Sequence, residues 1–272
     1  LEELLAASRV AVTLVFLTYA SWSDYKTREV SNRVWAIYFP VALALSLSEL
    51  LIYDISALPL FGLSVGLTIG FSFLLFYSGA FGGADSKALM CIAVALPFFP
   101  SLLLKPALTD GFSPLAQTVF PVTILSNSVL IAAGSAVYLL LSNIVHLSRE
   151  RKPFFEGSLS GESIGKKMIV LLTGQKFSIA TLKEKWHIYP MEDVNIEKGK
   201  ENDPNRSLVV VPKDEGRDEI IQRLSEASEN GKISSEVWAT PGLPMLIFVT
   251  VGLILALSIG DIVWILVSHF LG

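Results

Sequence analysis

Cysteine occurs once in the 272 residues, at Cys91, which excludes a disulfide framework and any cysteine-rich zinc site. Histidine is almost as scarce. His146, His187 and His269 are too scattered in sequence to read as a local ligand motif, so no metal and no other cofactor is expected. Charge is sparse as well: Asp, Glu, Lys and Arg make up 17% of the chain and leave a formal net charge of -4. Most of the Lys and Arg fall in one internal polar block, so nucleic acid is not an expected partner. The opening Leu1-Glu2-Glu3 lacks the basic region of a removable signal peptide, and no clear small-x-small cleavage site follows its apolar run. The segment reads as a first membrane helix.

What the chain does have is apolar length. Hydrophobic residues make up 52% and the mean hydropathy is +0.56, too high for an average soluble domain. Runs at Ala6–Ser23, Val34–Tyr53, Ala57–Ser78, Ala88–Leu104, Val119–Leu147 and Leu243–Phe270 approach or exceed the roughly 17–25 residues that cross a hydrocarbon core. The expected fold class is therefore all-α and polytopic, with about six transmembrane helices; Pro97 and Pro100 interrupt the fourth. Orientation follows from the basic residues. Lys26, Arg28 and Arg33 lie between the first two runs, Lys87 between the third and fourth, and Arg149, Arg151 and Lys152 just after the fifth. These loops are expected on the cytoplasmic side. Gly62, Gly66 and Gly70 repeat every fourth residue in the third run and predict a close helix-packing face.

Residues from about Ser148 to Thr240 differ in kind, being charged and punctuated by Gly157, Gly161, Gly174, Asp203-Pro204 and Asn230-Gly231. A small cytoplasmic α+β insertion is expected there, with a strand over Ser207–Val211 and a helix over Glu215–Glu229. The division is a membrane domain at 1–147, the soluble insertion at 148–240 and a last helix at 241–272. Gly161-Glu162-Ser163-Ile164-Gly165-Lys166 has three residues between its glycines where a phosphate loop needs four, which excludes that motif.

Acids bordering membrane spans are costly unless they snorkel or have a function. Asp24 closes the first run, and Asp85 lies in Gly82-Gly83-Ala84-Asp85-Ser86-Lys87 ahead of the fourth. Two intervening crossings return the chain to the same membrane face, so a carboxylate dyad is geometrically possible. Two such groups close together hold one proton between them. The ionised member takes a proton from water and the protonated one gives a proton to a peptide carbonyl. Gly82 and Gly83 leave room beside Asp85 for an extended peptide. Taken singly, Asp24 reads better as a loop acid near Lys26 and Arg28, and Asp85 as a helix cap.

The two segments together resemble the type IV prepilin peptidase family of GxGD or GxHyD aspartyl proteases, and most closely its archaeal preflagellin and prepilin peptidase branch. Asp24-Tyr25-Lys26-Thr27-Arg28-Glu29-Val30-Ser31-Asn32 is similar to that family's Asp-x5-(Ile/Val)-x-Asn pattern, and Gly82 to Lys87 to its Gly-x-hydrophobic-Asp-x-Lys. Thr240-Pro241-Gly242-Leu243-Pro244 is similar to the proline-rich start of its last helix. The resemblance implies Asp24 and Asp85 as catalytic residues, with Gly82, Gly83, Ala84 and Lys87 shaping the site. It further implies precursors of the prepilin or preflagellin type as partners, and a multi-pass protein of the cell membrane whose site faces the cytoplasm. Ala84 departs from the stricter GxGD form but fits the looser archaeal one. No CxxC pair is present, and methyltransferase activity is not expected. A presenilin-like reading through Tyr53-Asp54 and Pro106-Ala107-Leu108 puts those elements on the outer side, a hydrocarbon thickness of roughly 30 Å from Asp85. A small transporter, the remaining alternative, predicts acids near the bilayer midplane, where the runs hold none that is clearly central.

Overall fold

The computed structural model describes residues 1–108, 113–150, 153–195, 205–210 and 216–271. Arg151, Lys152, Asp203-Pro204, Val211 and Glu215, which enter the expectations above, lie outside the described residues. About 71% of the chain is helical, and it divides into two compact units, residues 1–132 with 244–272 and residues 133–243.

The first unit opens with α1 (Glu2–Thr27), which carries Glu2 and Glu3 at its positive N-terminal end and stops where Arg28 takes a left-handed conformation, φ 57. Ser31 then caps α2 (Asn32–Tyr53) by accepting the Arg33 N–H. A 3-10 turn at Ile55–Ala57 leads into α3 (Leu58–Tyr77). Among the described residues these three helices and α6 (Phe120–Glu150) are long and apolar enough to cross a membrane. A bent pair, α10 (Met245–Ser258) and α11 (Ile262–Leu271), makes a fifth candidate span, broken by 62° at Gly260-Asp261.

Two apolar runs thus differ from uninterrupted helices. The run expected over Ala88–Leu104 is helical only in α4 (Gly83–Ala95), about 20 Å long at 1.5 Å per residue. It continues as irregular chain, buried from Ala95 through Pro100 apart from a half-buried Phe98. Irregular backbone at membrane depth requires partners from the protein, and α4 finds them. Ser46 donates to Val94 O at 2.7 Å, Arg9 Nη1 to Ala95 O at 3.2 Å and Ser64 to Pro97 O at 3.0 Å. Arg9 is held in turn by Glu49 at 2.6 Å. The short α5 (Pro114–Thr118) packs beside this segment, with Phe99 N–H on Ala116 O and Phe120 N–H on Pro97 O, both at 3.0 Å. At the other break Asp261 is buried, accepting from Ser113, Thr123 and the Trp264 N–H, while Asn127 bonds Gly260 O and Ile262 N–H.

The glycine stripe of α3 requires a correction. Gly62, Gly66 and Gly70 are exposed and a Cβ added to any of them would meet nothing within 4 Å, whereas Phe61, Ser64, Thr68 and Ser72 form the buried face. Close approach occurs elsewhere. A Cβ on Gly252 of α10 would lie 2.7 Å from the Ile124 carbonyl oxygen of α6.

The second unit comprises the end of α6 and the insertion. Its elements are α7 (Ile164–Thr173), β1 (Gln175–Ser178), α8 (Ile179–Glu184), β2 (Tyr189–Pro190), β3 (Glu192–Asn195), β4 (Asn205–Leu208), α9 (Arg217–Glu229) and β5 (Glu236–Thr240). Antiparallel strands run in the order β1-β5-β2, and β3 pairs with β4. The strand therefore starts two residues before the expected Ser207 and stops short of the valine run, because Asn205 pairs with Asn195 and the ladder ends at Leu208 opposite Glu192. Leu182, Leu224 and Val237 fill one core, and Leu159, Met191 and Trp238 another.

Candidate active site

Asp24 sits in the last turn of α1, where its carbonyl accepts the Arg28 N–H that closes the helix at 2.9 Å. Its carboxylate faces the backbone N–H of Leu246, in the first turn of α10, and lies within Coulombic reach of Arg28. The proline-rich segment ending at Pro244 therefore brings a helix N-terminus, with its unpaired amides, to Asp24. Two bonds fix that approach: Ser21 donates to Leu246 O at 2.8 Å and shares a 2.7 Å hydrogen bond with Thr250. Lys26 lies over the Trp22 ring, 4.5 Å from its centroid.

Asp85 occupies the third position of α4. Its Oδ2 accepts the Gly82 N–H at 3.1 Å, so the acid caps its own helix from inside the first turn. A Cβ on Gly82 would stand 3.1 Å from that same oxygen, which explains a glycine there. Gly83 is less constrained, since its Cβ would make an ordinary 3.7 Å contact with Phe76. Ala84 packs against the core of the first unit and Ser86 is buried. Asp85 lies ahead of the apolar run that starts at Ala88, outside the spans. Burial, opposed by the Gly82 hydrogen bond and helped by the nearby Asp24 charge, pushes its carboxyl up to about 6.

Lys87 ties the two segments together: its ammonium donates to Asn32 Oδ1 at 2.7 Å. Asn32 is the last residue of the Asp24 segment and Lys87 the last of the Asp85 segment, so both patterns end on one shared hydrogen bond. Asp54, by contrast, closes α2 at the far end from Asn32, about 33 Å away over 22 residues, and accepts from Ser56. Among the described residues no three His, Cys, Asp or Glu side chains are grouped as a metal site. Sequence reasoning missed Arg9, Ser21, Glu49 and Thr250, the groups that hold the site-bearing helices. Arg9 and Glu49, a lone basic and a lone acidic residue within apolar runs, were the available signal.

The pattern match extends to family scale. A model described as Type IV leader peptidase family matches residues 11–141, and one described as Archaeal Peptidase A24 C-terminus Type II matches residues 166–262. A preflagellin peptidase of Methanococcus voltae is 26% identical over 256 residues, covering 92% of this chain and 94% of the relative. Another, of Methanococcus maripaludis, is 23% identical over 251 residues, covering 90% and 92%. The prepilin peptidase EppA of Methanothermobacter thermautotrophicus is 31% identical over 130 residues, 44% of this chain and 32% of the relative. The chain belongs to the type IV leader peptidase family.

Proposed function

We propose that this chain is an aspartic endopeptidase of the cell membrane, with Asp24 and Asp85 as its catalytic carboxyls. It removes short N-terminal leaders from precursors of the preflagellin or prepilin type. The observation that carries this reading is the meeting of the two aspartate segments through Lys87 and Asn32, 55 residues apart, with Asp24 close enough to act on Asp85. Conserving six crossings requires the buried irregular segment after α4 to complete the fourth, and α10 with α11 to form the sixth. The basic loops support a dyad at the cytoplasmic face.

A precursor whose apolar helix lies in the bilayer presents the bond after its polar leader at that surface. One carboxylate takes a proton from water as the water attacks the scissile carbonyl, and the partner acid protonates the carbonyl oxygen. Collapse of the tetrahedral species then passes a proton to the leaving amine. The pair titrates as a unit, and burial together with the Asp24 charge favours the proton on Asp85 in the free enzyme. Gly82 and Gly83 leave the backbone beside Asp85 open for an extended peptide. Lys87, held on Asn32, sets the start of α4 against the start of α2.

The test is cleavage of a preflagellin or prepilin by membranes carrying wild type, Asp24→Asn or Asp85→Asn, read as the downward gel shift on leader loss. Each variant is expected to lose about 10²–10⁴-fold in rate, the range for removing an acid or base. Full processing by either single variant removes the dyad.

A further inference from the structure

Helix α7 has an apolar face that its own unit leaves uncovered. Val170 and Leu171 point into the core around Trp238, yet Ile164 is 79% exposed, and Met168 and Ile169 are each 41% exposed. Positions 164 and 168, with half-buried Leu172, form one i, i+4, i+8 stripe, and Ile169 widens it. Ten residues give the helix about 15 Å of length. Such a face on a water-facing helix is unfavourable unless something covers it.

Its attachment identifies the cover. Asn143 of α6 donates to Leu171 O at 2.9 Å and to Gly174 O at 2.8 Å, taking up carbonyls at the end of α7. Leu140 and Leu147 of α6 pack against the same core that receives Val170. α7 is thus bonded to a candidate span within its apolar stretch, six residues before Arg149 ends the run. Around Asn143 the same helix exposes Val137, Tyr138, Leu141, Ile144 and Val145, a face suited only to lipid. The uncovered residues of α7 therefore belong to an element whose end is bonded directly to a candidate span.

We infer that α7 is an interfacial helix that docks the second unit onto the lipid surface, with Ile164, Met168 and Ile169 among the upper acyl chains. Lys166 is paired with Glu162 at 2.9 Å, whereas Lys167 donates to Ser160 O at 2.6 Å and lies 5.8 Å from the Phe155 ring centroid, with no carboxylate partner among the described residues, which leaves its charge for a headgroup phosphate. Apolar insertion flanked by lysine is the pattern by which helices lie in the membrane plane.

The experiment uses the full chain with Cys91→Ala and a single fluorescent label on Met168→Cys or Ile164→Cys. Gln222→Cys on the exposed side of α9 serves as the reference. Each protein is reconstituted in phosphatidylcholine vesicles with and without brominated acyl chains, and with added phosphatidylglycerol. Blue-shifted emission and bromine quenching at 164 and 168, absent at 222, is the expected result, stronger with the anionic lipid. Water-like emission without quenching at both positions overturns the inference. So does a blue shift that ignores bromine and grows with protein density, since that makes a second copy of this chain the occupant.

Discussion

Glu192 and Asp85 are both buried or partly buried carboxyls, one in each unit, and their surroundings are opposite. Glu192 is fully buried and accepts from Arg206, from Lys176 at 3.5 Å and from the Trp238 N–H at 2.7 Å. Asp85 has one backbone amide and forms no ion pair among the described residues, because the neighbouring Lys87 bonds Asn32 instead. A carboxylate with its charge fully compensated is a structural brace. One held close to neutrality beside a second acid is a group whose proton is available for chemistry.

The largest effect that would break this contrast belongs to the brace. Arg206→Met leaves Glu192 short of its main partner and should cost about 3–5 kcal/mol, measured as a lower midpoint for proteolysis of the insertion. Adding Glu192→Gln should recover part of the loss, and an additive double variant would show that the two groups are not a unit. Asp85 should behave in the opposite sense. Its folded value of about 6 exceeds the ordinary 3.8, so its protonation contributes stability that is complete below about pH 4 and is lost as pH rises through 6. Asp85→Asn should therefore be at least as stable as wild type at pH 8, by at most about 3 kcal/mol at 1.36 kcal/mol per unit, in thermal melts. Cleavage sharpens the same point: kcat/KM should fall about tenfold per unit above pH 6 as the shared proton is lost. A flat profile from pH 5 to 8 would separate Asp85 from the chemistry.

Smaller effects concern how each unit holds itself together. The second unit buries large side chains such as Trp238, Met191, Leu182 and Leu224, as a protein in water does. The first buries Tyr38, Phe120 and Leu89 as well, but adds Ser21, Ser46, Ser64 and Thr250 to its interior and exposes Leu67, Phe73 and Leu74, the arrangement of a molecule whose solvent is hydrocarbon. Gly252→Val should force α10 away from Ile124 and cost about 1–3 kcal/mol by overpacking, read in detergent titration. Gly66→Val, on the open face of α3, should cost far less. Smallest of all, Ser21→Ala and Thr250→Val should show a coupling of about 0.6 kcal/mol, the mean for polar pairs between membrane helices.

The apolar runs and the two aspartate patterns were legible because each is local. Hydropathy finds a helix that lipid surrounds, and the spacing from Asp24 to Asn32 and from Gly82 to Lys87 survives in a short window. The end of α4 at Ala95 was not legible. The carbonyls there and just beyond are taken by Ser46, Arg9 and Ser64, donors 33 to 86 residues away, and no window sees such a pairing. The break at Gly260-Asp261 was hidden for the same reason, since Ser113, Thr123 and Asn127 make a buried acid tolerable inside an apolar stretch. The glycine stripe misled because small residues permit close packing without requiring it. Gly252, alone among large residues, is where the backbones meet.

The grip on the far end of α4 also constrains how the two aspartates can move. Ser46 and Arg9 clamp the last carbonyls of this half-length rod, and Ser64 the turn beyond, so sliding along its axis would break three bonds at once. The opposite tip, bearing Asp85, is tied by Gly82 and by one lysine. Adjustment there is limited to a sideways swing about an anchored heel, which leaves the tip at a fixed position along the helix axis.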